Sequence, residues 1–126
     1  MHPFRAAIEA RDTEAAVAAL ADDVVFRSPV VFRPYAGKGT AAAVLTAVFH
    51  VFEDFAYEAE LASEDGRDHA LVFRARVGGE EIEGCDFLHH DRDGRVDQLT
   101  VMVRPLSAAL SLRDRMAAQL VTHAAS

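Results

Sequence analysis

From Asp54 to Pro105 the chain is written in a period of two and broken at short intervals by turn residues. Phe55, Tyr57, Ala59 and Leu61 alternate with Ala56, Glu58, Glu60 and Ala62. After Asp65-Gly66, the set Leu71, Phe73, Ala75 and Val77 alternates with Arg74 and Arg76. Gly78-Gly79 and Asp93-Gly94 set off two further runs, Ile82 to His90 and Val96 to Pro105. Successive residues of a strand point to opposite faces, so each run predicts a strand with one apolar face, and turns this tight join antiparallel neighbours. Four such strands in succession need a cover for that face.

The cover is supplied by helical patterns. Phe4, Ala7 and Ile8 recur at helical spacing. Asp12 is placed to cap a second helix over Thr13 to Leu20, accepting from the free N–H groups of its first turn. Ala41 to Phe52 carries Val44, Leu45, Val48, Phe49 and Phe52 on one stripe, and Ser107 to Val121 predicts a closing helix. Val24 to Arg27, β-branched and aromatic, reads as one early strand stopped at Ser28-Pro29. Helices and strands are segregated, so the class is α+β with a mostly antiparallel sheet. No repeat, low-complexity tract or linker divides residues 1–126, which form one domain, with fraying expected only over 123–126.

Composition narrows the function classes. Net charge is −7 and the basic residues are scattered, so there is no patch for phosphates and no nucleic-acid partner is expected. A hydrophobic fraction of 51% supports a core, but no apolar run approaches the ~20 residues a bilayer needs, so no membrane partner is expected either. The start lacks a basic region followed by an apolar run, and the expectation is a cytoplasmic protein of bacterial style. Cys85, the only cysteine, reads as a small buried hydrophobe.

The segment Ala21-Asp22-Asp23-Val24-Val25-Phe26-Arg27-Ser28-Pro29, then Tyr35-Ala36-Gly37-Lys38-Gly39-Thr40 and the long helix, resembles the nuclear transport factor 2-like superfamily, in its SnoaL-like and ketosteroid-isomerase-like branch. The resemblance covers nearly the whole chain. It implies a cone: a curved mixed sheet wrapped with three to four helices around one pocket. It also implies that alternate residues of the last three strands form a pocket wall, here Phe73, Ala75, Leu88, Leu99, Val101 and Val103, with Asp86 as its one charged member. The helices and the first strand would add Phe4, Ile8, Phe26, Leu45, Phe49 and Phe52. The alternation in this chain selects the same strand residues as its apolar face.

By the same resemblance Asp86 falls where the isomerases keep a neutral carboxylic acid that donates to an oxyanion. The competing reading is an Asp bonded within the fold. The other catalytic places differ: Ser28 stands before Pro29 in place of the isomerase base, and Phe4 in place of its tyrosine, so a steroid isomerase of the known type is not expected. Leu99 and Val101 occupy places that related cyclases and epoxide hydrolases give to a His or Asp. His69, His89 and His90 read as surface residues, and no metal or cofactor is expected. Two functions stay open. One is an enzyme of isomerase, cyclase or hydratase type using Asp86, with Ser28 positioning substrate. The other is a non-catalytic binder or accessory protein. Both imply a small apolar ligand. The opposite sheet face, with Phe87 and Met102 among Arg74, Arg76, Cys85, Thr100 and Arg104, predicts a homodimer.

Overall fold

The computed structural model describes residues 2–125, with side chains described as far as Leu120. Two short helices open the chain: α1 (Pro3–Glu9) and α2 (Thr13–Ala18). They lead into β1 (Leu20–Arg27), a two-residue strand β2 (Tyr35–Ala36) and the long helix α3 (Lys38–Val51). Four strands follow, β3 (Glu53–Ala62), β4 (Asp68–Val77), β5 (Glu80–His90) and β6 (Val96–Arg104), and then α4 (Leu106–Ala125). The strands form one six-stranded sheet in the order β2-β1-β6-β5-β4-β3. β1 runs parallel to β6 and every other pair is antiparallel. The expected mixed, mostly antiparallel α+β fold is the one found.

Local chemistry sets the boundaries. Asp12 caps α2, its Oδ1 accepting from Ala15 N at 3.0 Å. The helix stops at Ala18 rather than at Leu20, because Leu20 and Ala21 are already buried in the sheet, where β1 starts earlier than its β-branched core suggests. The β4–β5 hairpin closes on Gly78 and Gly79, both at positive φ (58° and 84°), a conformation that costs a side-chain residue strain. The helix α4 reaches Ala125; Ser126, within the stretch expected to fray, lies outside the described residues.

The strict alternation expected for β3 does not hold. Its register against β4 shifts between Glu53 and Ala56 and again between Tyr57 and Ala59. A bulge adds a residue on one strand and re-aims the side chains beside it. Tyr57 is the single buried residue of β3, and beyond the second shift Leu61 is 66% exposed. The Tyr57 ring joins Phe52, Phe55 and Phe73 in an aromatic cluster, with Phe55 stacked on Phe73 at 4.9 Å between centroids.

Gly84 makes room for that cluster. It pairs with Phe73 across β4 and β5, and a Cβ there would lie 2.3 Å from Phe73 Cζ and 2.8 Å from the Met102 carbonyl. Neither a buried ring nor a sheet backbone yields cheaply. Gly84→Ala is therefore expected to cost about 1–3 kcal/mol, read as a lower urea midpoint at unchanged slope.

Candidate active site

The helices α1, α3 and α4 and the inner face of the sheet enclose a cavity of about 300 Å³. Of the residues expected to face it, Phe4, Ile8, Phe26, Leu45, Phe49, Phe52, Phe73, Leu99 and Val101 line it, together with Ser28 and Asp86. Ala75, Leu88 and Val103 do not. Ala75 and Leu88 are buried in the core towards opposite ends of β4 and β5, and Val103 packs partly buried against the core. The β4–β5 turn is occupied by α4, whose Arg115 lies against Gly78, so the sheet is filled by helix at that end.

Asp86 projects from the middle of β5 into this apolar space and is 7% exposed. Its Oδ2 accepts a hydrogen bond from the Tyr57 hydroxyl at 2.7 Å. Burial penalises the charged carboxylate and raises its pKa to about 7, with the Tyr57 hydrogen bond pulling the other way. Burial, and then the negative charge of Asp86, push the Tyr57 phenol well above its ordinary value. The pair is thus one group that exchanges its proton near neutrality and one that keeps it. Sequence reading placed no hydroxyl near Asp86. Tyr57 supplies one, from β3 rather than from α1, where Phe4 stands. The signal was present in the Phe55-Tyr57 alternation, which holds as far as Tyr57, opposite the inward-facing Phe73.

The cavity mouth holds the remaining polar groups. Ser28 Oγ accepts from Val30 N at 3.1 Å, an ordinary turn contact. Glu9 is tied to Arg5 at 2.6 Å. Arg11, in left-handed backbone at φ 55°, donates to the Phe49 carbonyl and lies 5.6 Å from the Phe49 ring centroid. Arg11 thus places a cation in the cavity lining, although it has no part in raising the Asp86 pKa. Asp54 lines the mouth at φ 52°. Left-handed backbone at a non-glycine residue is a strained arrangement that clusters at functional sites. Among the described residues Asp54 makes no ion pair or side-chain hydrogen bond. Sequence reading missed it because it sits at the break between helical and strand periods.

Two readings change. Cys85, expected as a small buried hydrophobe, is only half-buried, on the outer sheet face. His90 is buried and His69 half-buried, both beside His2, while His89 faces the other way and meets Asp97 at 2.6 Å.

Residues 2–99 match the family model of the SnoaL-like domain. A steroid Δ-isomerase from Pseudomonas aeruginosa is 42% identical, with a TM-score of 0.92 over 98% of this chain and 90% of that one. A protein with a cystatin-like fold from Silicibacter pomeroyi is 33% identical, with a TM-score of 0.90 over 98% and 89%. A SnoaL-like protein from Burkholderia thailandensis shares the fold at 20% identity and a TM-score of 0.66 over 82% and 90%. No curated protein matches the chain.

Proposed function

The chain belongs to the SnoaL-like domain family of the nuclear transport factor 2-like superfamily, and on that premise we propose that it is an enzyme that moves a proton next to the carbonyl of a small apolar substrate. The observation that carries this reading is the buried Tyr57–Asp86 pair facing an otherwise apolar cavity. A neutral Asp86 can donate to a carbonyl oxygen while Tyr57 donates to its other oxygen. As charge builds on the substrate oxygen, those donors are already in place and water is excluded, the condition under which such stabilisation is strongest. Asp54 is the candidate base: among the described residues its carboxylate has no ion-pair partner, whereas Glu9 is held by Arg5. A serine without a base partner, such as Ser28, cannot take a carbon-bound proton.

A cavity of about 300 Å³ sits at the lower bound of ordinary ligand sites, which favours a ligand smaller than a steroid. The test is exchange of carbonyl-adjacent protons with heavy water, followed by proton NMR, for a panel of small apolar ketones and one Δ5-3-ketosteroid. Exchange of at least one small ketone is expected, with no isomerisation of the steroid. Tight binding of the ketones without exchange of any of them would replace this reading by the non-catalytic binder, which the Ser28 and Phe4 positions favour.

We propose further that two copies pair through the outer sheet face. Phe87 is 44% and Met102 59% exposed there, and a row of ion pairs borders them on one side: Arg74 with Glu58 and Glu83, Arg104 with Glu83. Exposed apolar side chains beside arginines are a common composition for an interface. Sedimentation at micromolar concentration is expected to give a dimer, and Met102→Glu a monomer; a monomeric wild type would refute the pairing.

A further inference from the structure

Away from the cavity, three imidazoles meet where the start of α1 reaches the ends of β4 and β5. His2, His69 and His90 each bring a ring nitrogen within 4.8 Å of the others. Their ring centroids are 4.7, 4.7 and 4.9 Å apart. They border an open groove of about 390 Å³, whose rim carries Asp65 and Asp91 but also Arg67 and Arg92. Nothing in the proposed reaction uses these residues.

Two observations set the cluster apart from packed surface histidines. Among the described residues, Nδ1 of His69 is buried without a hydrogen-bond partner, whereas the large majority of buried polar atoms have one. Nε2 of His2 and Nε2 of His90 lie 2.6 Å apart, and two ring nitrogens approach so closely only with a proton or a cation between them. His90 is already oriented as a ligand. Its Nδ1 donates to the Arg67 carbonyl at 3.1 Å, so the Nε2 lone pair faces the cluster. Metal-binding histidines use the same backbone contact to fix their tautomer. His2 accepts from the N–H groups of Phe4 and Arg5 at Nδ1, at 3.1 and 3.4 Å, so in the metal-free protein its Nε2 carries the proton shared with His90.

We infer that His2, His69 and His90 form a site for one borderline transition-metal ion of the zinc, nickel or copper class, with an open coordination position towards the groove. All-imidazole donors suit these ions and not magnesium or calcium. Tetrahedral zinc–nitrogen bonds of about 2.0–2.1 Å place ligand nitrogens roughly 3.3 Å apart. The His2–His90 pair therefore opens slightly and the widest pair closes by at most about 1.5 Å, within reach of side-chain rotation. The ion takes the place of the shared proton. That proton moves to Nδ1 of His2, and the weak cap on α1 is given up.

The test is calorimetric titration of the tag-free protein, stripped with a chelator, with zinc chloride and separately with nickel chloride. One ion per chain is expected. His2→Ala, His69→Ala and His90→Ala should each weaken binding at least tenfold, and the exposed His50→Ala should leave it unchanged. His2 stands at the edge of the fold, so its variant still reports if loss of buried His90 impairs folding. Cobalt(II) should give the visible bands of a four-coordinate site, lost in His2→Ala. Failure of both zinc and nickel to bind, or binding that survives His2→Ala undiminished, would overturn the site.

Discussion

Asp86→Asn is expected to remove a pH dependence of stability worth on the order of 4 kcal/mol. The folded-state pKa of about 7 lies above the ordinary 3.8, so the folded protein holds this proton more tightly than the unfolded chain. Below the unfolded value both states are protonated and the carboxyl costs nothing extra. As pH rises through about 7 the folded state must bury a charge and that stability is lost. Three units at 1.36 kcal/mol each set the scale. The other carboxylates give the whole protein its own profile, so the quantity to read is wild type minus Asp86→Asn, from urea midpoints between pH 4 and 8. The difference should favour wild type least at the alkaline end. A flat difference would mean that Asp86 is not held as a buried acid.

The second large effect is on proton exchange. Tyr57→Phe removes the donor that steadies the Asp86 carboxylate, and Asp86→Asn removes the exchangeable proton itself. Loss of one preorganised donor of this kind typically costs 10²- to 10³-fold in turnover, and a reduction of at least about a hundredfold is expected for each variant. The two differ in their pH profiles. Without the Tyr57 hydrogen bond the Asp86 pKa moves above 7, so residual exchange in Tyr57→Phe should persist to higher pH than in wild type. Unchanged exchange in both variants would remove the pair from the chemistry, whatever the ligand.

Much of the architecture was legible because it rests on periodicity. Leu71, Phe73, Ala75 and Val77 announce one face of β4, and Gly78-Gly79 its hairpin, without reference to the rest of the molecule. The resemblance then located Asp86 on the inner face, where it lies. What could not be read depends on contacts distant in sequence. Tyr57 and Asp86 stand 29 positions apart, and the alternation of β3 fixes the face of Tyr57 but not its partner. His2, His69 and His90 lie 21 to 88 positions apart and meet only after the sheet closes against α1. Ala75 and Val103 fit the alternation of the cavity wall and yet stand outside it, since period two fixes a face but not how far along the strand helix packing gives way to open space.

The central claim, that Asp86 is a buried acid exchanging its proton near neutrality against a phenol that keeps its own, is tested most directly by a carbon-13 NMR titration of the Asp86 carboxyl, assigned by comparison with Asp86→Asn. A midpoint near 7, moving upward in Tyr57→Phe, is the expected result. A midpoint at or below the ordinary value of 3.8 would contradict the claim and leave the proposed chemistry without its acid.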